Sequence, residues 1–234
     1  MYNDEPQMTH GAVWDAPVEQ RAQFIWNTYL HLFAAVITFV LLEIALFQSG
    51  MAAKIAAPML NAWWAVLGAF VLIGWGATHF AHTAVSKSAQ YGALALYVVL
   101  EAAIFCPILY IANRFAPGAI ESAAQITILG FSLLTAIVFV TRKDFSFLRG
   151  LMIWGGAAAV LAIVSAMMFG FELGTWFSVA MVVFAGAAIL YDTSNILHHY
   201  PEDRYVAASL SLFASLALMF WYVLRLVMAM QSDD

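Results

Sequence analysis

Charge is scarce in this chain: Asp, Glu, Lys and Arg make up 10% of its 234 residues. A soluble domain carries roughly 25%, so an ordinary water-facing surface cannot be built from this composition. Basic residues are the scarcer sign, nine against fourteen acidic ones, for a net charge of −5. The acidic excess is scattered over tail, loops and C-terminus, and no basic surface is available for a nucleic acid. One cysteine, Cys106, excludes an intramolecular disulfide and a cysteine metal cluster. The chain has no His-Glu-x-x-His zinc pattern, no Gly-x-Ser-x-Gly elbow and no phosphate-cradling glycine loop. Lys54, Lys87 and Lys143 all fall in or near connections, whereas a retinal Schiff base needs a lysine inside a late span. Together these absences point away from an enzyme.

What the chain does have is apolar length. Hydrophobic residues make up 64% of it and its mean hydropathy is +0.86. Apolar runs of about 20 residues recur, each long enough as a helix to cross roughly 30 Å of hydrocarbon. The runs are continuously apolar, where a membrane barrel strand would alternate. They predict an all-α integral membrane protein of seven transmembrane helices, near residues 24–47, 62–83, 92–112, 119–141, 147–169, 174–197 and 205–230. Residues 24–230 then form one membrane domain, followed by a stub at 231–234. Residues 1–23 hold Asp4, Glu5, Asp15 and Glu19, two prolines and little apolar periodicity, and are expected to be a disordered tail. A signal peptide is not expected there, since a basic start, apolar core and small-residue cleavage site are missing.

Orientation follows from Lys and Arg. With the N-terminus cytoplasmic, that side holds Arg21, Lys87, Arg142, Lys143, Arg149 and Arg204, against Lys54 and Arg114 on the other. Seven spans then put the C-terminus outside, with Arg225 able to snorkel to that interface.

Ionisable groups inside spans cost roughly 2.5 to 3.5 kcal/mol each at a helix centre, so each needs a partner, water or an interface. They are His31, Glu43, His79, His82, Glu101, Glu121 and Asp192. Asp192 stands in the polar run Tyr191-Asp192-Thr193-Ser194-Asn195, with Asn195 and His199 on its helical face. A carboxylate near His79, His82 or the His198-His199 pair would make a proton-sensitive latch; a hydrogen-bonded structural acid at a helix end is the alternative. Glu101, at the middle of its span, reads either as an intramembrane ion site or as a neutral acid bonded to a neighbouring helix. Ala207, Ser211 and Ser215 recur every four residues and form a small-residue seam for close helix packing; the alternative is that the serine hydroxyls line a polar path beside Asp192, without adding charge. Asn27, His31 and Thr38 share a face expected to point into the bundle, while Glu43 points roughly opposite and lies near enough to Gln48 to reach the interface. A metal site at His82 and His198-His199 is not expected, because adjacent histidines diverge on a helix.

Three segments resemble the Bax inhibitor-1 family of seven-helix membrane proteins, and in detail its bacterial YccA branch. They are Asn27-Thr28-Tyr29-Leu30, Thr141-Arg142-Lys143-Asp144-Phe145-Ser146-Phe147-Leu148, and Thr193-Ser194-Asn195-Ile196-Leu197-His198. Their order and spacing fit the family from about Phe24 to Met230. Independently of any family, Arg142 and Lys143 suit a cytoplasmic anchor and Asp144 or Ser146 suits a helix cap.

The resemblance implies a multi-pass protein of the bacterial inner membrane. One branch of the family forms a pH-sensitive calcium leak, and YccA modulates the membrane-embedded AAA protease FtsH. The leak uses paired aspartates; Asp192 corresponds to one, while the partner position in the seventh helix is Ser215 here, as in the YccA branch. The family's basic latch after the second helix has no arginine here, with His79 and His82 nearby. The resemblance therefore implies a non-enzymatic regulator of membrane protein quality control, with an FtsH-type protease and the bilayer as partners. A proton-gated cation leak around Asp192, Asn195, Ser215, His79 and His82, and an accessory subunit of a larger membrane complex, are the alternatives. No cofactor is expected beyond weakly held calcium, for which these residues offer few oxygen ligands.

Overall fold

In lipid every backbone N–H and C=O must be satisfied within the chain, and the apolar runs answer this as helices. The structure, a computed structural model, describes residues 12–61, 68, 76, 83 and 86–232. A 3₁₀ turn at Val13–Asp15 precedes α1 (Val18–Gln48) and the shorter α2 (Met51–Asn61). There follow α3 (Lys87–Phe115), α4 (Ala119–Thr141), a 3₁₀ turn at Ser146–Leu148, α5 (Arg149–Phe169), α6 (Gly174–His198) and α7 (Tyr205–Ser232). Among the described residues six helices are long and apolar enough to cross a membrane: α1, α3, α4, α5 with its preceding turn, α6 and α7. The span expected at 62–83 lies almost wholly outside the described residues, of which Gly68, Gly76 and Thr83 are helical.

Local chemistry sets several helix ends. Ser86 caps α3 by accepting the Ala89 N–H at 3.3 Å. Gly170 closes α5 at φ 71°, a left-handed conformation that costs glycine nothing. Arg142 closes α4 in the same region at φ 51°, and Asp144 then accepts the Ser146 N–H at 2.8 Å to start the next turn.

The helix α7 is the hub, packed against α1, α3, α4 and α6. Val206, Ala207, Ala208, Leu210 and Leu212 on it are completely buried. One apolar cluster joins Val13, Phe24, Tyr97 and Ile196 to the first half of α7. A second joins Phe105, Ala123 and Ile189 to its second half, where the Phe105 ring stacks on Phe220 at 5.7 Å and meets the Trp221 edge at 5.0 Å. By contrast α5 buries only Ala166 and presents most of its surface outward. It approaches α6 at Gly155, where a β-carbon would stand 2.8 Å from the Phe184 ring; glycine lets the two helices come that close.

Two expectations need correction. The tail expected to be disordered over 1–23 is ordered from residue 12: Val13 is fully buried and donates its N–H to the Tyr200 carbonyl at 2.9 Å. Trp14 lies 4.7 Å from the His198 ring, and the Arg21 guanidinium stands 5.3 Å from the Trp14 ring; α1 begins directly after Pro17. A few large apolar side chains strap this segment down despite its polar composition. The second correction concerns α1, whose buried stripe is Phe24, Thr28, Leu32, Ala35 and Glu43. Thr38 faces outward, its hydroxyl satisfied by the Ala34 carbonyl at 2.8 Å. Glu43 faces the bundle and is 7% exposed; it does not reach toward the interface.

Candidate functional site

Toward the His198 end of α6, the helix buries Thr193 and Ser194 and leaves Asp192 and Asn195 half-buried. The facing stretch of α7 carries the small residues Ala207, Ser211 and Ser215, all buried, so the two backbones come close enough for short polar contacts. Ser215 Oγ donates to Asp192 Oδ2 at 2.6 Å. One turn away, Ser211 Oγ and the Tyr200 hydroxyl are 3.1 Å apart.

Further polar groups lie near Asp192. The Tyr29 hydroxyl, from α1, lies beside Thr193 of α6 and Thr135 of α4 and within the field of Asp192. All three hydroxyls are buried without a hydrogen-bond partner within 3.5 Å. A carboxyl group with one serine donor and a rim of buried, loosely associated hydroxyls can hold a proton or give a cation a few oxygen ligands.

His199 does not turn toward Asp192. Its Nε2 lies 3.0 Å from Asp144 Oδ2 in the α4–α5 connection. Asp144 Oδ1 accepts from the Ser146 N–H and, at 3.4 Å, from Ser194 Oγ, which in turn accepts the Phe145 N–H at 2.8 Å. The resulting clasp ties the α4–α5 connection to the end of α6. Burial pushes the Asp144 carboxyl up, but the Ser146 hydrogen bonds and the neighbouring His199 outweigh it and hold the group below its usual value. A carboxylate so depressed adds stability above its unfolded-state value of 3.8, and that stability is lost as pH falls through the lower folded value. Asp144→Asn is expected to flatten this acid limb of a denaturation curve in detergent. The pair is nearly half exposed, so the effect should stay below about 1 kcal/mol.

Of the other residues singled out, Asn195 lies on α6 one turn past Asp192, and its carbonyl accepts the N–H groups of His199 and Tyr200. His79 and His82 lie outside the described residues. Glu101 is 1% exposed and accepts from the Tyr97 hydroxyl at 2.7 Å, while its second oxygen has no partner. His31 bridges helices: Nδ1 is 2.6 Å from the Asn27 carbonyl and Nε2 is 3.0 Å from the Tyr91 hydroxyl. Among the described residues no three His, Cys, Asp or Glu side chains converge as metal ligands. The buried hydroxyls of Tyr29 and Thr135 could be suspected only from the polar pattern of their own helices, since nothing in the linear order joins them to Asp192.

Comparison with known proteins gives the family of the chain. A family model described as inhibitor of apoptosis-promoting Bax1 matches residues 21–233. An uncharacterized protein of Pseudomonas aeruginosa is 36% identical over 118 residues, 49% of this chain and 52% of its own length. The modulator of FtsH protease YccA of Escherichia coli K12 is 33% identical over 102 residues, 43% of this chain and 46% of its own. Bax inhibitor 1 of Schizosaccharomyces pombe is 31% identical over 129 residues, 51% and 46% respectively. The chain thus spans about half the length of the curated relatives it matches.

Proposed function

Because this chain belongs to the Bax inhibitor-1 family, we propose that it is a non-enzymatic regulator of membrane protein quality control, acting through helix contacts with an FtsH-type AAA protease. It is a multi-pass protein of the bacterial inner membrane, with six long apolar helices among the described residues and similarity to the inner membrane protein YccA of Escherichia coli. A seventh span over 62–83, a cytoplasmic N-terminus and an outside C-terminus belong to the same proposal.

The observation that carries it is the hydrogen bond from Ser215 to Asp192. A serine hydroxyl keeps α6 and α7 together without a second charge, so the contact supplies none of the repulsion that a carboxylate pair would use to open a pore. Similarity to the FtsH modulator supplies the partner class. Much of the outer surface of α5, including Leu151, Trp154, Leu161 and Met168, is exposed and apolar, and such a face suits either lipid or a partner's membrane helix.

Affinity purification of the full chain from mildly solubilised membranes should retain the FtsH-type protease. A version lacking residues 1–11 asks whether the tail is what the protease engages, while keeping the packed Val13 and Trp14 in place. Retention lost with the tail would assign the contact to it; retention unchanged would assign it to the helices.

A second reading, a proton-gated cation leak, draws on the half-buried Asp192 and the buried hydroxyls of Tyr29, Thr135 and Thr193 near it. One charged oxygen group and a few hydroxyls fall short of the six to eight oxygens calcium takes, so passage would be weak. Absence of the protease, together with calcium flux lost in Asp192→Asn, would favour it.

A further inference from the structure

The buried carboxyl of Glu43 stands against a space that the regulatory reading leaves unused. Its Oε2 accepts a weak hydrogen bond from the Cys106 thiol at 3.9 Å, and its Oε1 is buried with no partner. Beside it lies a cavity of about 460 Å³ between α1, α3, α4 and α7. Thr127 of α4, 3% exposed, lines the same cavity with a hydroxyl that also lacks a partner. The rest of the wall is largely aromatic and aliphatic, including Phe39, Phe47, Phe105 and Phe220.

Three features define what fits. First, charge: Glu43 lies inside, Glu121 joins the lining from the exposed first turn of α4, and among the described residues no Lys, Arg or His lines the cavity. Such a site attracts a cation and has nothing to neutralise a phosphate. Second, access: α1 and α4 meet at the Tyr29 and Phe139 rings, 5.8 Å apart, but share few other contacts. Val40, Ile44 and Ile128 at the cavity edge are exposed, so it opens sideways, toward lipid. Third, depth and size: Glu43 is five residues before the end of α1, roughly 7 to 8 Å along the axis, and the volume is near the lower end of the drug-sized range, too small for a two-tailed lipid.

We propose that this cavity binds a single-tailed lipophilic amine, its ammonium N–H groups donating to Glu43 and its tail lying among the phenylalanines. The amine supplies the partner that Glu43 Oε1 lacks, and its hydrocarbon replaces lipid-exposed wall. Thr127 stands ready to accept a second N–H.

The test is equilibrium binding of radiolabelled dodecylamine to the full chain in nanodiscs, with empty nanodiscs subtracted. Saturable binding near one per chain is expected, weakened about tenfold or more in the near-isosteric Glu43→Gln. Ala124→Phe, at a partly lipid-facing position of the lining, should block binding by filling the space while keeping the carboxyl. Gel filtration and far-UV circular dichroism establish that both variants are folded. Dodecanol should compete poorly. Equal binding by wild type and folded Glu43→Gln, equal competition by dodecanol, or no saturable binding would each overturn the proposal.

Discussion

Ser215→Asp is expected to turn the chain into a pH-dependent calcium conductor, with flux into liposomes rising from about pH 6 to about pH 8. The wild-type contact joins a serine hydroxyl to Asp192 at 2.6 Å. Two carboxyl groups in its place can share one proton and hold the helices together when protonated, but cannot both ionise at that separation without strong repulsion. Two unit charges about 4 Å apart repel by roughly 4 kcal/mol at an effective dielectric of about 20. That acts on the seam between α6 and α7, the hub helix of the bundle. A single titrating proton allows up to roughly a 100-fold change over two pH units, so the variant's pH ratio should approach that scale and exceed the wild type's. The double variant with Asp192→Asn should lose the dependence. A flat profile in Ser215→Asp would show that this seam does not gate.

The second large effect is on stability. Tyr97→Phe removes the donor to Glu101, whose other oxygen already has no partner, so a buried carboxyl is left with nothing. The expected loss is about 1 to 3 kcal/mol, read from chemical denaturation in detergent. Glu101→Leu added to Tyr97→Phe should recover most of it, because two apolar residues then replace the polar pair. Tyr97 packs on Phe213 at 6.0 Å, and phenylalanine keeps that ring contact. If Tyr97→Phe were neutral, Glu101 would have another partner such as a bound cation, and the ion-site role would gain support.

The six long apolar helices among the described residues were legible because apolar length is a property of each segment alone. Helix faces were harder. In α1 the polar stripe of Asn27, His31 and Thr38 looked bundle-facing, yet Thr38 satisfies itself on its own backbone and can face lipid, while Glu43 is buried on the apolar stripe. The short helix α2, containing Pro58, has too few residues to stand out from a loop. Val13 and Trp14 were hidden by the polar residues around them, and their anchor, the Tyr200 and His198 end of α6, is remote in sequence. Likewise His199 finds Asp144, 55 residues away; spacing along one helix tied it to Asp192 instead. The small serine seam of the last helix suggested hydroxyls beside Asp192, and the family resemblance singled out Ser215 as the partner position; neither residue alone indicates which helix it meets.

The most direct measurement of the central claim is turnover of a membrane substrate by the purified FtsH-type protease in liposomes, with and without the full chain at increasing ratios. A saturable change in turnover, kept in Asp192→Asn, is the result expected of a regulator acting through helix contacts. Turnover identical at every ratio would contradict it.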